Sequence, residues 1–502
     1  MRILIFFFLL SFSFPLFSQY KFDYTWLMGL RPSGPAFPQN CMNIMTFGGD
    51  SLKVAKDSFN SQTFVTNASI SDDDGNLLFY SNGCYIKDAN NQIMQNGGNL
   101  NPGIIYNDNC PNYGYTAVDA ILIIPIPGNS ENYFVFHQAG DTFNIAPFYR
   151  VNKLYLTEVD MALNNGLGEV TTKNQTIVDE ILVQGIHAIK HANNEDWWIF
   201  VTRLNENIFY RMLLTSQGIV STDTQLIGQV TYNNDGGQYS FTPDGKKLLK
   251  FDYNNQLRIF DFDRNTGLLS NYQKIVVDTS EFRLQTGLAI SPNSRFAYVS
   301  MVDKLYQLDL EAADIEASRV LVGEFDGFDY QGFPVFFFTM RLGPDCRIYM
   351  SALSPAPYMH VINNPDEPGL ACGFAQRGIE LPCIGNYSIP NFPHYRLGTG
   401  YPVCDSSIVY VSSGYVPPPT EKITVWPNPA SHEVHLENNV PSTKPSTLRL
   451  FNATGQAVRQ WKMSAGQLGH VFSLDGLADG MYFWRLERDG SAVGSGKLVI
   501  VK

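Results

Sequence analysis

The chain has 502 residues, of which 44% are apolar and 13% aromatic, and its formal net charge is −12. This length allows two or more domains. The acidic balance, without a cluster of Lys and Arg, argues against a nucleic-acid surface and against adhesion to anionic lipid, because both need a basic patch.

The first residues predict a secretory signal peptide over residues 1–18. Arg2 supplies a positive charge, an apolar run extends from Ile3 to Phe17, and the small Ser18 precedes Gln19. We therefore expect cleavage between Ser18 and Gln19; because Leu16 is not an ideal residue three positions before the cleaved bond, a site one or two residues away is the alternative. No later stretch reaches the roughly 20 apolar residues that a membrane-spanning helix needs, so no transmembrane segment is predicted.

Seven cysteines in an exported chain predict disulfide bonds, and the odd number leaves at least one thiol free or paired with another chain. Cys372 and Cys383 are the closest pair in sequence and form our candidate bridge. No two cysteines have the two-residue spacing of a zinc or redox site. We therefore predict no metal site. A Gly-rich phosphate loop between a strand and a helix is also missing, so no cofactor is predicted.

A strand–turn–strand pattern recurs six times between Phe64 and about Gly385. Each copy has an apolar strand end, a polar turn and a strand with aromatic residues. The copies lie about 50 to 65 residues apart and begin at Ile70, Ile124, Ile189, Phe241, Ile290 and Leu342. A sheet of this kind cannot bury both faces alone, but a ring of sheets can. The sequence predicts an all-β fold with a six-bladed β-propeller over residues 19–414; seven blades are the alternative.

The segments around these repeats have their own predicted roles. Short strands at residues 43–47 and 52–55 are expected to complete the last blade and close the ring. An insertion at residues 139–154 either forms a binding loop or covers an edge. Residues 387–414, rich in Pro and aromatic side chains, are predicted to form a closing strap, and a Pro-rich linker follows at residues 415–422.

Residues 423–502 predict a separate all-β unit. Short alternating strands separated by Gly, Asn and Asp turns are typical of a small β-sandwich. The unit is slightly positive, so the acidity of the chain lies in the propeller.

Four segments of this C-terminal unit carry a family resemblance. An aromatic residue followed by Pro-Asn-Pro opens it, a strand and turn at residues 448–458 and a strand at 477–490 follow, and residues 496–502 form a final strand with a basic end. In this order they resemble the type A C-terminal sorting domain of the Bacteroidetes type IX secretion system. The matching positions are Trp426, Pro427, Asn428, Pro429, Gly455, Gly480, Tyr482 and Lys502.

The resemblance implies export in two steps. The signal peptide would direct the chain through the inner membrane, and the type IX secretion machinery would then recognise the sorting domain and pass the chain through the outer membrane. Release or attachment to the cell surface would follow. An ordinary adhesion sandwich is the alternative, but it does not explain the Trp-Pro-Asn-Pro opening. Propeller segments such as ASISDDDGNLLFYSNG also resemble a group of Bacteroidetes surface proteins without a defined activity.

Two motifs that suggest metal binding have simpler interpretations. The run from Asp72 to Gly75 lacks the ligand spacing of a calcium loop, and we interpret it as a turn. His187 and His191 fall on a predicted strand, where four residues span about 13 Å, so they cannot share one metal ion.

Polar residues at the starts of the predicted innermost strands form the candidate ligand site. Amide and aromatic side chains around one mouth of the central channel suit a sugar or a peptide. The alternative is that they satisfy the tight entry of each inner strand. The candidate residues are Gln184, His187, Gln238, Tyr239 and Gln285.

These patterns favour a secreted or surface-exposed binding protein with an extracellular glycan or protein ligand. The first alternative is a propeller enzyme that acts on an extracellular carbohydrate or lactone, because residues 257–271 resemble a strand and turn of lactonase-like propellers. The second alternative is a structural component of the cell surface. No catalytic residue is predicted, and binding is favoured over catalysis.

Overall fold

A computed structural model describes residues 20–30, 41–48, 51–57, 61–140, 142–145, 148–231, 237–252, 254–279, 286–385, 387, 389–410, 423–438, 445–452, 456–465, 469–488 and 491–502. The chain divides into two compact units, Met1–Val411 and Ser412–Lys502. The predicted signal peptide, its cleavage site at Ser18 and Gln19, and the predicted linker at residues 415–422 lie outside the described residues.

The described part of the first unit contains seven sheets of three or more strands, here numbered sheet 1 to sheet 7 in chain order. Sheet 1 contains β1 (Thr25–Gly29), β2 (Met42–Gly48) and β3 (Ser51–Asp57); sheet 2 contains β4 (Ala68–Ser71), β5 (Leu77–Ser81) and β6 (Ile86–Asp88). Sheet 3 contains β7 (Ile121–Pro125), β8 (Asn132–Ala139), β9 (Thr142–Ile145), β10 (Phe148–Asp160) and β11 (Glu169–Leu182). A short helix, α1 (Ile104–Asn109), lies between sheets 2 and 3 in the chain.

The next three sheets are four-stranded antiparallel meanders. Sheet 4 contains β12 (His187–Lys190), β13 (Trp197–Thr202), β14 (Ile208–Thr215) and β15 (Gly218–Leu226). Sheet 5 contains β16 (Gln238–Phe241), β17 (Lys247–Asp252), β18 (Gln256–Asp263) and β19 (Leu268–Ile275). Sheet 6 contains β20 (Gly287–Ile290), β21 (Phe296–Met301), β22 (Lys304–Asp309) and β23 (Val320–Glu324).

The last part of the first unit adds a hairpin and a seventh sheet. The hairpin is β24 (Asp329–Tyr330) with β25 (Phe333–Pro334), and β30 (Val409–Tyr410) ends the described part of the unit. Sheet 7 contains β26 (Phe337–Leu342), β27 (Ile348–Ala352), β28 (Ala356–Ile362) and β29 (Phe374–Gly385). Single turns of 3-10 helix lie at Asn164–Gly166 and Gly369–Cys372.

Burial decreases from the first strand of sheet 4 to its last. Every residue of β4, β12 and β20 is buried, whereas every residue of β15, the outermost strand of sheet 4, is exposed or half-buried. A strand that is buried on both faces has a continuous apolar sequence, whereas apolar and polar residues alternate in a strand at an exposed edge. The first strands therefore form the interior of the unit.

The turns between first and second strands are held by side chains, as the sequence predicts. Asp72 Oδ1 accepts hydrogen bonds from the backbone N–H groups of Asp74 (2.9 Å) and Asn76 (2.8 Å). A carboxylate that bonds the backbone two residues on is an Asx turn. The run of aspartates is thus a turn.

The role predicted for the first strands is wrong. They do not complete the last sheet: β1, β2 and β3 form a sheet of their own, and its fourth strand is β30, which pairs parallel to β3. Asn43 in β2 instead bonds the backbone of Cys383 in β29, with its Nδ2 donating to the carbonyl (3.3 Å) and its Oδ1 accepting from the N–H (3.0 Å). Sheets 1 and 7 are therefore neighbours joined by side chains.

The predicted bridge between Cys372 and Cys383 is also wrong. Cys372 lies just before β29 and Cys383 near its end, and an extended strand of that length separates them by about 30 Å. The structure leaves Cys372 as a buried free thiol. The three bridges are Cys41–Cys383, Cys84–Cys110 and Cys346–Cys404, with Cα–Cα distances of 5.5, 5.7 and 5.0 Å.

The C-terminal unit has two sheets with one core. Its strands are β31 (Ile423–Trp426), β32 (Glu433–Asn438), β33 (Ser446–Phe451), β34 (Ala457–Met463), β35 (Gly469–Ser473), β36 (Gly480–Arg488) and β37 (Ser491–Ile500). One sheet has the order β31-β32-β35 and the other β34-β33-β36-β37. Both contribute to a single apolar cluster that includes Leu436, Phe472, Leu448, Trp484 and Leu498.

No helix in the described part of the chain is long and apolar enough to span a membrane.

We expect the bridge between sheets 1 and 7 to stabilise the fold most. It spans 342 residues of sequence, whereas Cys84–Cys110 spans 26. Chain-entropy arithmetic assigns about 6 kcal/mol to the longer loop and about 3.5 kcal/mol to the shorter one. Replacing Cys41 and Cys383 by Ser should therefore lower the free energy of unfolding, measured with guanidinium on the full chain, by more than replacing Cys84 and Cys110. An equal or larger loss from the second pair would contradict this.

Acidification should destabilise the first unit. Burial lowers the pKa of His137 and of His360 to about 3, below the ordinary value of 6.5. Since the folded state keeps both rings neutral, the unfolded state takes up their protons first as the pH falls below 6.5. Each histidine should therefore cost about 2 kcal/mol of stability between pH 7.5 and pH 5.0.

Asp345 opposes this trend. Burial raises its pKa to about 6, so its contribution to stability is greatest at low pH and is lost as the pH rises through 6. Urea unfolding of the full chain at both pH values measures the balance. The variant His360→Gln should lose about 2 kcal/mol less on acidification than the natural chain. Identical losses in the two proteins would refute the assignment.

Candidate functional site

The amide of Gln238 joins three sheets at the centre of the first unit. Its Oε1 accepts the backbone N–H groups of Leu288 (3.0 Å) and Met340 (2.8 Å). Its Nε2 donates to Asp119 Oδ2 (3.2 Å) and to the carbonyl of Met340 (3.4 Å). The side chain is 1% exposed, so these bonds are made away from solvent. Gln238 thus satisfies first-strand backbone groups that no neighbouring strand reaches.

The charges around this amide are paired. Arg341 contacts Asp119 at 2.9 Å, and both side chains are largely buried. Arg396 forms a two-pronged pair with Asp23, at 2.6 and 2.9 Å. Removing one partner of a buried pair is costly because it leaves an uncompensated charge. Arg341 and Arg396 are therefore each compensated by a buried carboxylate.

One chain segment, residues 389–397, lies among the first strands; we call it the axial segment. At one end Asn391 donates its backbone N–H to the carbonyl of Asn67 (2.9 Å). Its side-chain Nδ2 bonds the carbonyls of Asp119 (3.3 Å), Ile121 (3.0 Å) and Ile186 (3.0 Å). These carbonyls lie at or just before the beginnings of first strands.

The other end of the axial segment bonds residues further along the first strands. His394 Nε2 lies 3.0 Å from the carbonyl of Phe241, the last residue of β16. Tyr395 donates its hydroxyl to the carbonyl of Ile123 in β7 (2.7 Å). The axial segment therefore runs lengthwise along the first strands. The sequence predicts a strap here, and the structure places part of it inside the unit.

The space that remains beside the axial segment is small. A cavity of about 40 Å³ lies between this segment and the first strands. It offers room for about three water molecules. Its lining includes His187, Tyr239, Arg341, Asn391, His394 and Arg396.

Two of the predicted ligand residues pack against each other. The ring of His187 stacks on that of Tyr239, with centroids 4.3 Å apart and an interplanar angle of 21°. The hydroxyl of Tyr239 bonds Thr202 (3.1 Å), and burial raises its pKa. The Lys250 ammonium group lies 4.4 Å from the same ring. Tyr239 is thus enclosed by protein on several sides.

The remaining candidates are less central. Gln184 is half-buried and its Oε1 accepts the backbone N–H of Val118 (2.9 Å). Gln285 lies outside the described residues. His191 is separated from His187 by the length of β12 and bonds the carbonyl of Asn265 (3.1 Å). Ligand binding by this set stays a prediction.

Sequence reasoning missed the partners that organise the interior. Asp119 and Arg341 are 222 residues apart, and Asn391 lies beyond the last repeat. Their one sequence signal is that they are polar residues beside apolar runs. In the described part of the chain, no group of three or more His, Cys, Asp or Glu side chains is arranged to hold a metal ion.

In the C-terminal unit, the opening motif contacts the last strand. Asn428 Nδ2 donates to the carbonyl of Lys497 (2.8 Å), and its Oδ1 accepts the N–H of Val499 (2.9 Å). Two residues on, the N–H of Ala430 bonds the carbonyl of Val499 (2.8 Å), and its carbonyl accepts the N–H of Val501 (2.9 Å). Two segments separated by some 70 residues of sequence thus form one surface.

A third predicted segment joins this surface. The N–H of Lys502 donates to Asp479 Oδ1 (3.1 Å), next to Gly480, whose φ of 151° favours glycine. Trp426 stacks on His435 with ring centroids 4.2 Å apart and is 44% exposed. We call residues 426–430, 479–480 and 497–502 the terminal corner.

The other predicted sorting residues divide by environment. Pro427 and Pro429 are exposed on the terminal corner. Tyr482 is buried in the core and donates its hydroxyl to the carbonyl of Ala478 (2.9 Å). Gly455 lies outside the described residues.

Residues 424–501 match the family described as the secretion system C-terminal sorting domain. Comparison with curated proteins gives no match.

Solved structures similar to the chain include three with low identity. A Bacteroides uniformis protein provisionally described as a 6-phosphogluconolactonase has 12% identity and a TM-score of 0.44, over 73% of this chain and 99% of its own. The β-propeller domain of Cps50 (Swd1) from Myceliophthora thermophila has 11% identity and a TM-score of 0.35, over 66% and 94%. Sqt1 from Saccharomyces cerevisiae has 8% identity and a TM-score of 0.37, over 73% of this chain and 87% of its own.

The sorting-domain match defines the class of the protein. It is a type IX sorted Bacteroidetes protein with an all-β, propeller-like first unit, and it interacts with the type IX secretion machinery. It is secreted or attached to the cell surface.

Removing the hydrogen bonds of Gln238 should be far more costly than removing those of Gln184. Gln238→Met keeps the volume but leaves the buried N–H groups of Leu288 and Met340 without an acceptor, at about 1 to 3 kcal/mol each. Gln184→Met removes one bond at a half-buried position. We expect Gln238→Met to lower the free energy of unfolding by about 3 kcal/mol and Gln184→Met to lower it by about 1 kcal/mol. Equal losses would show that the central amide is not a structural link.

Proposed function

We propose that this protein is an exported interaction protein with a seven-bladed β-propeller and a small β-sandwich sorting domain. The propeller presents its outer surface to an extracellular glycan or protein. One observation carries this proposal: the chain's own axial segment lies among the first strands, and the cavity beside it, lined by His187 and Tyr239 of the predicted ligand set, has a volume of about 40 Å³.

Contacts between successive sheets support seven blades. The first strands β1 and β4, β4 and β7, β12 and β16, β16 and β20, and β20 and β26 are neighbours. Asn391 joins sheets 3 and 4 through the carbonyls of Ile121 and Ile186. The strand β29 of sheet 7 lies beside β1, β2 and β3, as closure of the ring requires. For the C-terminal unit, the common core of the two sheets supports the sandwich.

The same interior disfavours an enzyme that works at the axis. Asp119 could act as an acid–base group and Arg341 could bind an anion, but each already has its partner, and Gln238 uses both ends of its amide on the protein. A substrate would have to displace the axial segment and its hydrogen bonds to sheets 2, 3, 4 and 5. The enzyme and the structural component remain the alternatives.

The proposed route uses both ends of the chain. The signal peptide at residues 1–18 would direct the chain through the inner membrane, with cleavage between Ser18 and Gln19, and the sorting domain would direct the second step. Three disulfides are consistent with folding in an oxidising compartment.

The test compares binding and turnover with the purified full chain. We expect saturable binding to polysaccharide fragments or to intact cells of the source organism, and no hydrolysis of a panel of lactones and glycosides. His187→Gln alters only the interior and should leave binding unchanged. Hydrolysis that this variant abolishes would favour the enzyme. Neither binding nor turnover would favour a structural component.

A further inference from the structure

The terminal corner contains a side chain that takes the place of a strand. In a parallel pair of strands, the N–H of one residue donates to the carbonyl of the residue before its partner. The carbonyl of the same residue accepts the N–H of the residue after its partner. The amide of Asn428 does both, with the carbonyl of Lys497 and the N–H of Val499. Ala430 then repeats the pattern with its backbone, opposite Ile500. Asn428 and Ala430 thus form two successive steps of one parallel ladder along β37.

The neighbouring prolines explain why a side chain makes the first step. Pro427 and Pro429 have no backbone N–H, so the segment between them has few donors to offer an edge strand. The Nδ2 group of Asn428 supplies one. An Asp at this position would keep an acceptor for Val499 but would place a second oxygen against the carbonyl of Lys497.

The ladder lies on a strand that has only one strand neighbour in its sheet. The order β34-β33-β36-β37 makes β37 an edge strand, whose outer backbone groups need partners or water. Leu498 and Ile500 anchor its inner face in the core. Lys497 is exposed on its outer face, and Val501, just beyond the end of the strand, is 54% exposed. The inner contacts fix the strand, and the ladder fixes its exposed end.

We infer that Asn428 positions residues 497–502 for recognition by the type IX secretion machinery, and that the opening motif and β37 act in export as one element. The inference rests on the export through the sorting domain stated above. The recognised surface combines exposed apolar side chains, Trp426 and Val501, with the basic Lys497 and Lys502, and so suits an apolar and acidic partner surface.

The test uses the full chain in its source organism with Asn428→Ala and Asn428→Asp. The exported fraction is measured by immunoblotting of the medium and cell surface against the periplasm. Hydrogen exchange of the purified variants is followed in the peptide that covers residues 497–502. Gln460→Ala is the matched control, because it removes an exposed amide from β34 at the opposite edge of the same sheet. Deletion of residues 423–502 tests the export function itself.

We expect both Asn428 variants to lower the exported fraction at least tenfold and to speed exchange at residues 497–502 about tenfold. Exchange in β33 and β36 should stay unchanged, as should both readouts in Gln460→Ala. Normal export with faster exchange would overturn the inference. Lost export with unchanged exchange would also overturn it, because Asn428 would then be recognised directly. Export of the chain that lacks residues 423–502 would instead refute the sorting function.

Discussion

The structure depends on satisfying backbone groups that no neighbouring strand can reach. Sheets placed side by side in the first unit leave the N–H and carbonyl groups at the beginnings of their first strands buried and out of reach of a neighbouring strand. An orphaned buried group of this kind costs about 1 to 3 kcal/mol. Side-chain amides solve the problem: Gln238 bonds Leu288 and Met340, and Asn391 bonds three carbonyls. Each amide offers a donor and an acceptor in one plane, as a peptide group does.

This solution has a functional consequence. The amides and paired charges of the interior hold the sheets together. They leave little room there for a ligand. The ion pair of Arg341 with Asp119 and the stack of His187 on Tyr239 belong to the same packed region. The long bridge Cys41–Cys383 and the amide of Asn43 then join the first and last sheets. A braced scaffold of this kind suits recognition on the outer surface, where loops carry the variable side chains.

The same chemistry recurs in the C-terminal unit. There the backbone groups that need partners lie on the edge strand β37, and the side chain of Asn428 bonds two of them as a neighbouring strand would. The sorting motifs, read along the sequence, are separate; in the structure, residues 426–430 and 497–502 touch, and Asp479 holds the N–H of Lys502. A recognition element assembled from distant segments exists only in the folded domain, which links export to correct folding.

Local patterns in the sequence predicted much of this protein. Repeated turns such as the one at Asp72, apolar strand starts and the Trp-Pro-Asn-Pro opening predicted the all-β fold and the sorting domain, because turn chemistry and strand alternation act over a few residues. The tertiary structure decided the rest. Cys383 pairs with Cys41 instead of Cys372, Gln238 bonds the backbone of Met340, and Asn391, which no sequence pattern singled out, bonds the carbonyl of Ile121. These outcomes depend on contacts between segments that are distant in sequence, and a pattern of a few neighbouring residues does not specify such contacts.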